Sequence, residues 1–400
     1  MRAGETVAVR VKNQLPEMTA THWHGLRIAN AMDGVPGVTQ PPIAPGGEFT
    51  YRLTPPDPGT YWLHAHHHLQ LDRGLYAPLI VEDPREPGGY DDEWVIVLDD
   101  WVDGTGRTPH DVYHHLKHGG HHGGDYDDPC LGYLGRHVGD VHDYPHHLIN
   151  GRVREAPAVF WAKPRQRVRL RIINAAADTF YRVALGGHTL RVTHTDGFPV
   201  RSQPAQSLLL AMGERFDAIV ELDSGVFPLV AKAEGKHGGG LALVRTGGGQ
   251  APPADVHPTE LDTCPKVATD FVATDDVLLD GPTDRGHTAV LTGDMMSYTW
   301  KINDRVYGDH VPLPVAEGEG VRLRFENRTM MPHPMHLHGH TFQVVRGDGG
   351  FGPRKDTAIV PAMSALDTYF VADNPGEWVT HCHNEYHMTA GMMTTVAYQS

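Results

Sequence analysis

The chain has 400 residues, 40% hydrophobic and 8% aromatic, which is enough apolar material for real cores and enough length for two or three domains. Its formal charge of −15 argues against nucleic acid or an anionic membrane surface as partner. No apolar run approaches the roughly 18–20 residues a spanning helix needs. Two counts ask for a chemical reason: 29 histidines, and only three cysteines (Cys130, Cys264 and Cys382), too few for a disulfide framework.

In chain order, residues 1–5 run straight into a strand-like 6–11 with no charged-then-apolar export segment, so the chain is either cytoplasmic or begins inside a longer protein. Short β-branched or apolar runs at 7–11, 94–98, 168–173, 208–210 and 321–325 are each bounded by Gly, Pro, Asp or Asn and predict strands. Long amphipathic helical patterns are scarce, and Gly 45 with Pro 31 suits a chain of strands and turns. The expected class is an all-β sandwich.

Breaker-rich segments at 82–89 and 246–253 divide the chain at about 1–84, 85–250 and 251–400. The outer units echo each other: Pro58-Gly59-Thr60-Tyr61-Trp62 and Pro375-Gly376-Glu377-Trp378 each precede a histidine cluster. That reads as an internal repeat of one β-domain. In the middle unit, residues 110–147 hold ten histidines interleaved with Gly119-Gly120 and Gly123-Gly124. This region reads as an inserted low-complexity loop, with a flexible solvated insertion as the plainest account and secondary copper or zinc capture as the next. Cys130 within it and Cys264 near the second boundary can pair if the compartment is oxidising.

Four His-x-His pairs stand out: His22 and His24, His64 and His66, His336 and His338, His381 and His383. Residues i and i+2 of a strand project to the same face, about 6–7 Å apart, so each pair offers two imidazoles on one side. Eight imidazole nitrogens are too many for one ion and natural for a cluster of two or three. Because the pairs occur only in the first and last units, the cluster must lie where those units meet.

A second pattern surrounds Cys382. His387 lies four residues past His383, Met392 five beyond that, and His333 three before His336. One thiolate, two imidazoles and a long axial thioether make the blue-copper donor set, with Cys382, His387 and His333 equatorial and Met392 axial. Strand alternation turns Cys382 to one face and its flanking histidines to the other. One tripeptide thus wires a mononuclear site to the cluster.

These motifs resemble the four copper motifs of the multicopper oxidases: His22-x-His24-Gly25, His64-x-His66, His333-Pro334-x-His336-x-His338, and His381-Cys382-His383-x3-His387-x4-Met392. Asp33-Gly34-Val35-Pro36, residues 39–43, residues 58–62 and residues 147–151 extend the likeness over nearly the whole chain. The resemblance implies three cupredoxin-like Greek-key β-sandwich domains, the first lacking an opening strand or two of an N-terminally truncated sandwich. It implies four coppers: a type 1 ion at the Cys382 set, a type 2 ion at His22 and His336, and a type 3 pair at His24, His64, His66, His338, His381 and His383. Asp33 matches an acidic residue that delivers protons. Met388 stands where several bacterial members carry a second acidic donor, which throws proton supply onto Asp33.

The activity so implied couples one-electron oxidation of small donors to four-electron reduction of O₂ to water, in an extracytoplasmic, periplasmic or secreted setting. Donors are expected to reach a mononuclear site whose histidines lie near the surface. A methionine axial ligand favours Cu(II) and hence easily oxidised donors, such as phenols and aromatic amines. A laccase-like open donor site, lined by Phe351 and Tyr298, is the first choice. The alternative is a cuprous or other metal-ion oxidase, with Met295, Met296, Met330, Met331 and Met335 presenting Cu(I), although packing around the copper pocket is the better account of those residues. A non-catalytic electron carrier needs one site and would leave eight histidines idle, and a copper nitrite reductase would not need all four pairs. Oligomeric state leaves no sequence signal.

Overall fold

The computed structural model describes residues 1–86, 88–119, 126–279 and 281–399. His121 and His122 of the histidine-rich segment lie outside the described residues. All five predicted runs form strands, as Val7–Lys12, Asp92–Trp101, Arg167–Asn174, Leu208–Leu210 and Gly320–Asn327.

The first unit is slight. Val7–Lys12 pairs antiparallel with Glu48–Leu53, and Thr21–His22, Gly59–Ala65 and Tyr76–Val81 form a second sheet. Trp23, Leu26, Tyr51, Leu53 and Tyr61 fill the space between them. The middle and last units are fuller sandwiches, each a six-stranded sheet against a five-stranded one. Both six-stranded sheets contain one parallel pair, Asp92–Trp101 with Arg167–Asn174 and Arg285–Asp294 with Gly320–Asn327, flanked by antiparallel neighbours. Strands adjacent in these sheets are often distant in sequence, the crossing pattern of Greek-key sandwiches. The all-β expectation holds.

Residues 110–147 depart from a solvated loop. Residues Pro109–Lys117 are an α-helix, started by Pro109 at its first position and by a reciprocal cap between Thr108 and Asp111. Its apolar stripe, Val112 and Leu116, is buried in the same core as Tyr298, Trp300 and Met331 of the last unit. Histidine-rich composition hid a three- and four-residue apolar spacing that packing rewards. Tyr113 Oη donates to the Thr389 carbonyl (3.4 Å) and Lys117 Nζ to the Tyr298 carbonyl (3.0 Å), fastening the helix to the last unit.

Residues 251–279 lie along the middle unit, bridged at Leu208 to Lys266 and at Val200 to Ala273. The Cys130–Cys264 disulfide, with Cα atoms 5.1 Å apart and 134 residues between them, ties this segment to the insertion. A cross-link over so long a loop removes much chain entropy from the unfolded state. Replacing both cysteines with serine is expected to cost about 2–5 kcal/mol in denaturant unfolding. Unchanged stability would show that the bridge constrains nothing the fold does not already hold.

Candidate metal centres

The first and last units meet through their histidine strands. Register places His22 opposite His64 in one sheet and His336 opposite His381 in another, so each sheet presents a cross-strand imidazole pair. The two faces oppose each other. Ring centroids of His22 and His338 are 3.7 Å apart and those of His24 and His336 are 3.9 Å apart, while His66 lies 5.3 Å from His381 and His64 5.2 Å from His383. Within three of the pairs the spacing is 5.9, 6.1 and 5.7 Å, close to the strand expectation. All eight rings are buried.

Ring orientation is set from outside the cluster. His22 Nδ1 donates to the Asp33 carbonyl (3.0 Å), His64 Nδ1 to that of Ala65 (2.9 Å), His336 Nδ1 to that of Asp356 (2.8 Å) and His381 Nδ1 to that of Cys382 (2.8 Å). Each of these leaves its Nε2 as a lone pair facing inward. Nε2 of His22, His64, His66 and His336, and Nδ1 of His383, are buried without a protein partner. Burial, reinforced by neighbouring imidazoles, pushes His64, His66, His338 and His383 well below the usual histidine range and His381 down to about 3. Neutral rings with orphaned, converging lone pairs fit metal ions and little else.

Asp33 sits against this cluster, its Oδ2 accepting from His338 Nδ1 at 2.9 Å. Gly34 makes that approach possible: its φ is 89°, and a Cβ there would fall 1.8 Å from the Thr21 carbonyl oxygen. Asp356 was not foreseen. Its Oδ1 is 3.1 Å from His24 Nε2, and both oxygens take a fork of bonds from Arg215, at 2.7 and 2.6 Å. Burial alone would raise this carboxyl, but the Arg215 guanidinium holds it well below the usual carboxylate range. The pair closes the His24 side of the cluster, leaving His24 Nδ1 3.2 Å from His383 Nε2. The signal available was a run of charge, Arg354-Lys355-Asp356, inside an otherwise apolar strand region.

The mononuclear set assembles on the far side of the same strand. Cys382 ends Glu377–Cys382, and Asn384 then caps the short helix Glu385–Thr389 by accepting from the Tyr386 and His387 amides. That single turn swings His387 back beside Cys382. Cys382 Sγ lies 3.6 Å from Nδ1 of both His333 and His387, whose Nδ1 atoms are 3.1 Å apart. Met392 is brought alongside by its backbone, its amide donating to His387 and its carbonyl accepting from Cys382, and its side chain is fully buried. Burial lowers His333, again favouring the neutral ring. His387 behaves oppositely: burial would lower it, but Asp140 Oδ2, 2.7 Å from its Nε2, pushes it up to about 10 in the metal-free protein.

Two expectations change here. His333 and His387 are fully buried and not surface ligands: Asp140 from the middle unit bonds His387, Tyr298 bonds Asp140, and Trp300 lies against the His387 ring. Tyr298 is equally buried, donating to Asp140 at 2.5 Å, so it lines no open donor site, whereas Phe351 is 36% exposed. Met388 itself is buried and brings no acid to this end of the site. Glu385, two past His383, is buried, with Oε1 unpartnered, and its burial raises its carboxyl well above the usual range. Of the methionines, Met331 and Met335 are buried while Met296 and Met330 are exposed.

Comparison with known proteins agrees with this geometry. Family profiles described as multicopper oxidase match residues 1–86, 92–248 and 281–400. The chain is 47% identical over 406 residues to multicopper oxidase MmcO of Mycobacterium tuberculosis, covering 99% of this chain and 80% of that protein. It is 28% identical over 517 residues to a copper resistance protein A homolog of Pseudomonas syringae pv. tomato, covering 99% and 86%. The solved laccase of Botrytis aclada superposes with a TM-score of 0.80 at 25% identity, covering 98% of this chain and 80% of that one. The chain belongs to the multicopper oxidase family, an oxidoreductase of cupredoxin-like domains whose cofactor is copper, four ions per chain.

Proposed function

We propose that the protein oxidises small donors one electron at a time at the Cys382 site and passes the electrons to O₂ at the eight-histidine cluster, in a laccase-like reaction. The observation that carries this reading is the tripeptide at 381–383: Cys382 joins His333 and His387 while its two neighbours enter the cluster. Copper held there would store single electrons, so that a fully reduced set delivers the four needed to take O₂ to two waters. His333, Cys382 and His387 would hold the type 1 ion together with Met392, and would supply a soft thiolate–imidazole–thioether donor set for it. His22 and His336 would hold type 2, and His24, His64, His66, His338, His381 and His383 the type 3 pair. We assign these across units read as 1–84, 85–250 and 251–400.

The chain's own groups do the rest. Carbonyls at Asp33, Ala65, Asp356 and Cys382 fix the tautomers that aim lone pairs inward. Asp33 is the proton carrier of the reading, hydrogen-bonded at Oδ2 to His338 and able to relay protons from the first unit. At the other site the donor does not touch the ligands. Asp140 and Tyr298 stand between His387 and the exterior, and Trp300 lies against the His387 ring at 4.0 Å. An extracytoplasmic setting is supported by the Cys130–Cys264 disulfide, which reducing cytosol does not favour.

A metal-ion oxidase of the copper-tolerance kind is the second reading, supported by similarity to a copper resistance protein A homolog and by Met331 and Met335 packed in the mononuclear-site core. Oxygen uptake with a phenol and with Cu(I) separates the readings: a higher kcat/KM for the phenol supports the first, for Cu(I) the second. No uptake with either would leave a copper-binding carrier. Replacing Asp33 with Asn is expected to slow reoxidation by O₂ more than reduction by donor in stopped flow. Equal slowing of both steps would remove its proton role.

A further inference from the structure

The Pro109–Lys117 helix has a second face. With Val112 and Leu116 turned into the core, His110, His114 and His118 recur at four-residue spacing on the exposed side. The rings of His114 and His118 stack with centroids 4.1 Å apart and planes 24° from parallel. His118 Nδ1 donates to the His114 carbonyl at 2.7 Å, which fixes the tautomer and leaves Nε2 as an acceptor directed outward. Lys117 is drawn the other way, to the Tyr298 carbonyl, so its charge is spent against the last unit and not at this face.

The scaffold is rigid enough to hold a ligand pair. Thr108 and Asp111 cap its start, and buried Val112 and Leu116 with the Tyr113 and Lys117 bonds fix its roll. Two imidazoles at i and i+4 on one helix face can chelate a single borderline ion, and neutral imidazole suits copper and zinc above the hard cations.

We propose that this face is a separate surface site for a copper- or zinc-class ion, with His114 and His118 as its ligands. It lies outside the eight-histidine cluster and the Cys382 set, and it stands whichever donor the enzyme oxidises. Its place is on the helix fastened to the last unit at Thr389 and Tyr298.

The test uses the copper-loaded full chain, dialysed to equilibrium against Cu(II), beside the variant H114Q/H118Q. Both residues are exposed, so thermal unfolding should match wild type and serves as the check on folding. Wild type is expected to hold one more equivalent of copper than the variant, and its electron paramagnetic resonance spectrum should carry an added nitrogen-coupled Cu(II) signal that the variant lacks. The intense blue absorption should be the same in both, which separates this site from the resident ions. Equal copper content and identical resonance spectra would overturn the proposal.

Discussion

Replacing Cys382 with serine is expected to abolish the intense blue absorption and donor oxidation together, while most of the copper in the histidine cluster remains. The thiolate is the one soft anionic donor of the mononuclear set, and a serine hydroxyl is neither anionic at neutral pH nor soft. Cys382 is fully buried, so the change removes a ligand without opening the site to solvent. His381 and His383 keep their places, because strand pairing and the Cys382 carbonyl that receives His381 Nδ1 belong to the backbone. Copper content should fall by one equivalent and reoxidation of the reduced cluster should persist. A variant that stays blue would refute the ligand assignment.

The second large effect is expected at Arg215. Its guanidinium is fully buried and binds both oxygens of Asp356, with further bonds to the Thr60 and Gly213 carbonyls. Substituting methionine leaves the Asp356 carboxylate buried and uncompensated, a loss of about 3–5 kcal/mol. Asp356 also contacts His24 and Thr357, so a carboxylate that shifts or takes up a proton loosens one wall of the cluster. Copper affinity there should fall about 10–100-fold. The double change R215M/D356N separates causes: if the orphaned charge is the problem, the pair is less destabilised than R215M alone in urea unfolding. A double variant that loses the sum of the two single effects would show that packing, and not charge, is what Arg215 supplies.

Much of the site was legible because its ligands obey a local rule. Alternation along a strand fixes which side His22 and His24, or His381 and His383, must face, and it separates Cys382 from both neighbours without any tertiary knowledge. The donor chemistry of cysteine, methionine and histidine then names the metal class. What stayed hidden depends on contacts between units. Asp140 is 247 residues from His387, and Arg215 is 141 from Asp356, so no window of sequence relates them. The Pro109–Lys117 helix was masked differently: its histidines suggested low complexity, yet Val112 and Leu116 gave it a face that the last unit buries.

These particulars converge on one claim: imidazoles from the two ends of the chain enclose shared copper ions, wired through Cys382 to a fourth. Anomalous diffraction at the copper edge, from crystals of the loaded protein, tests it most directly. The account predicts three strong peaks among His22, His24, His64, His66, His336, His338, His381 and His383, and a fourth between Cys382, His333 and His387. A single peak in the histidine cluster, or none at Cys382, would contradict it.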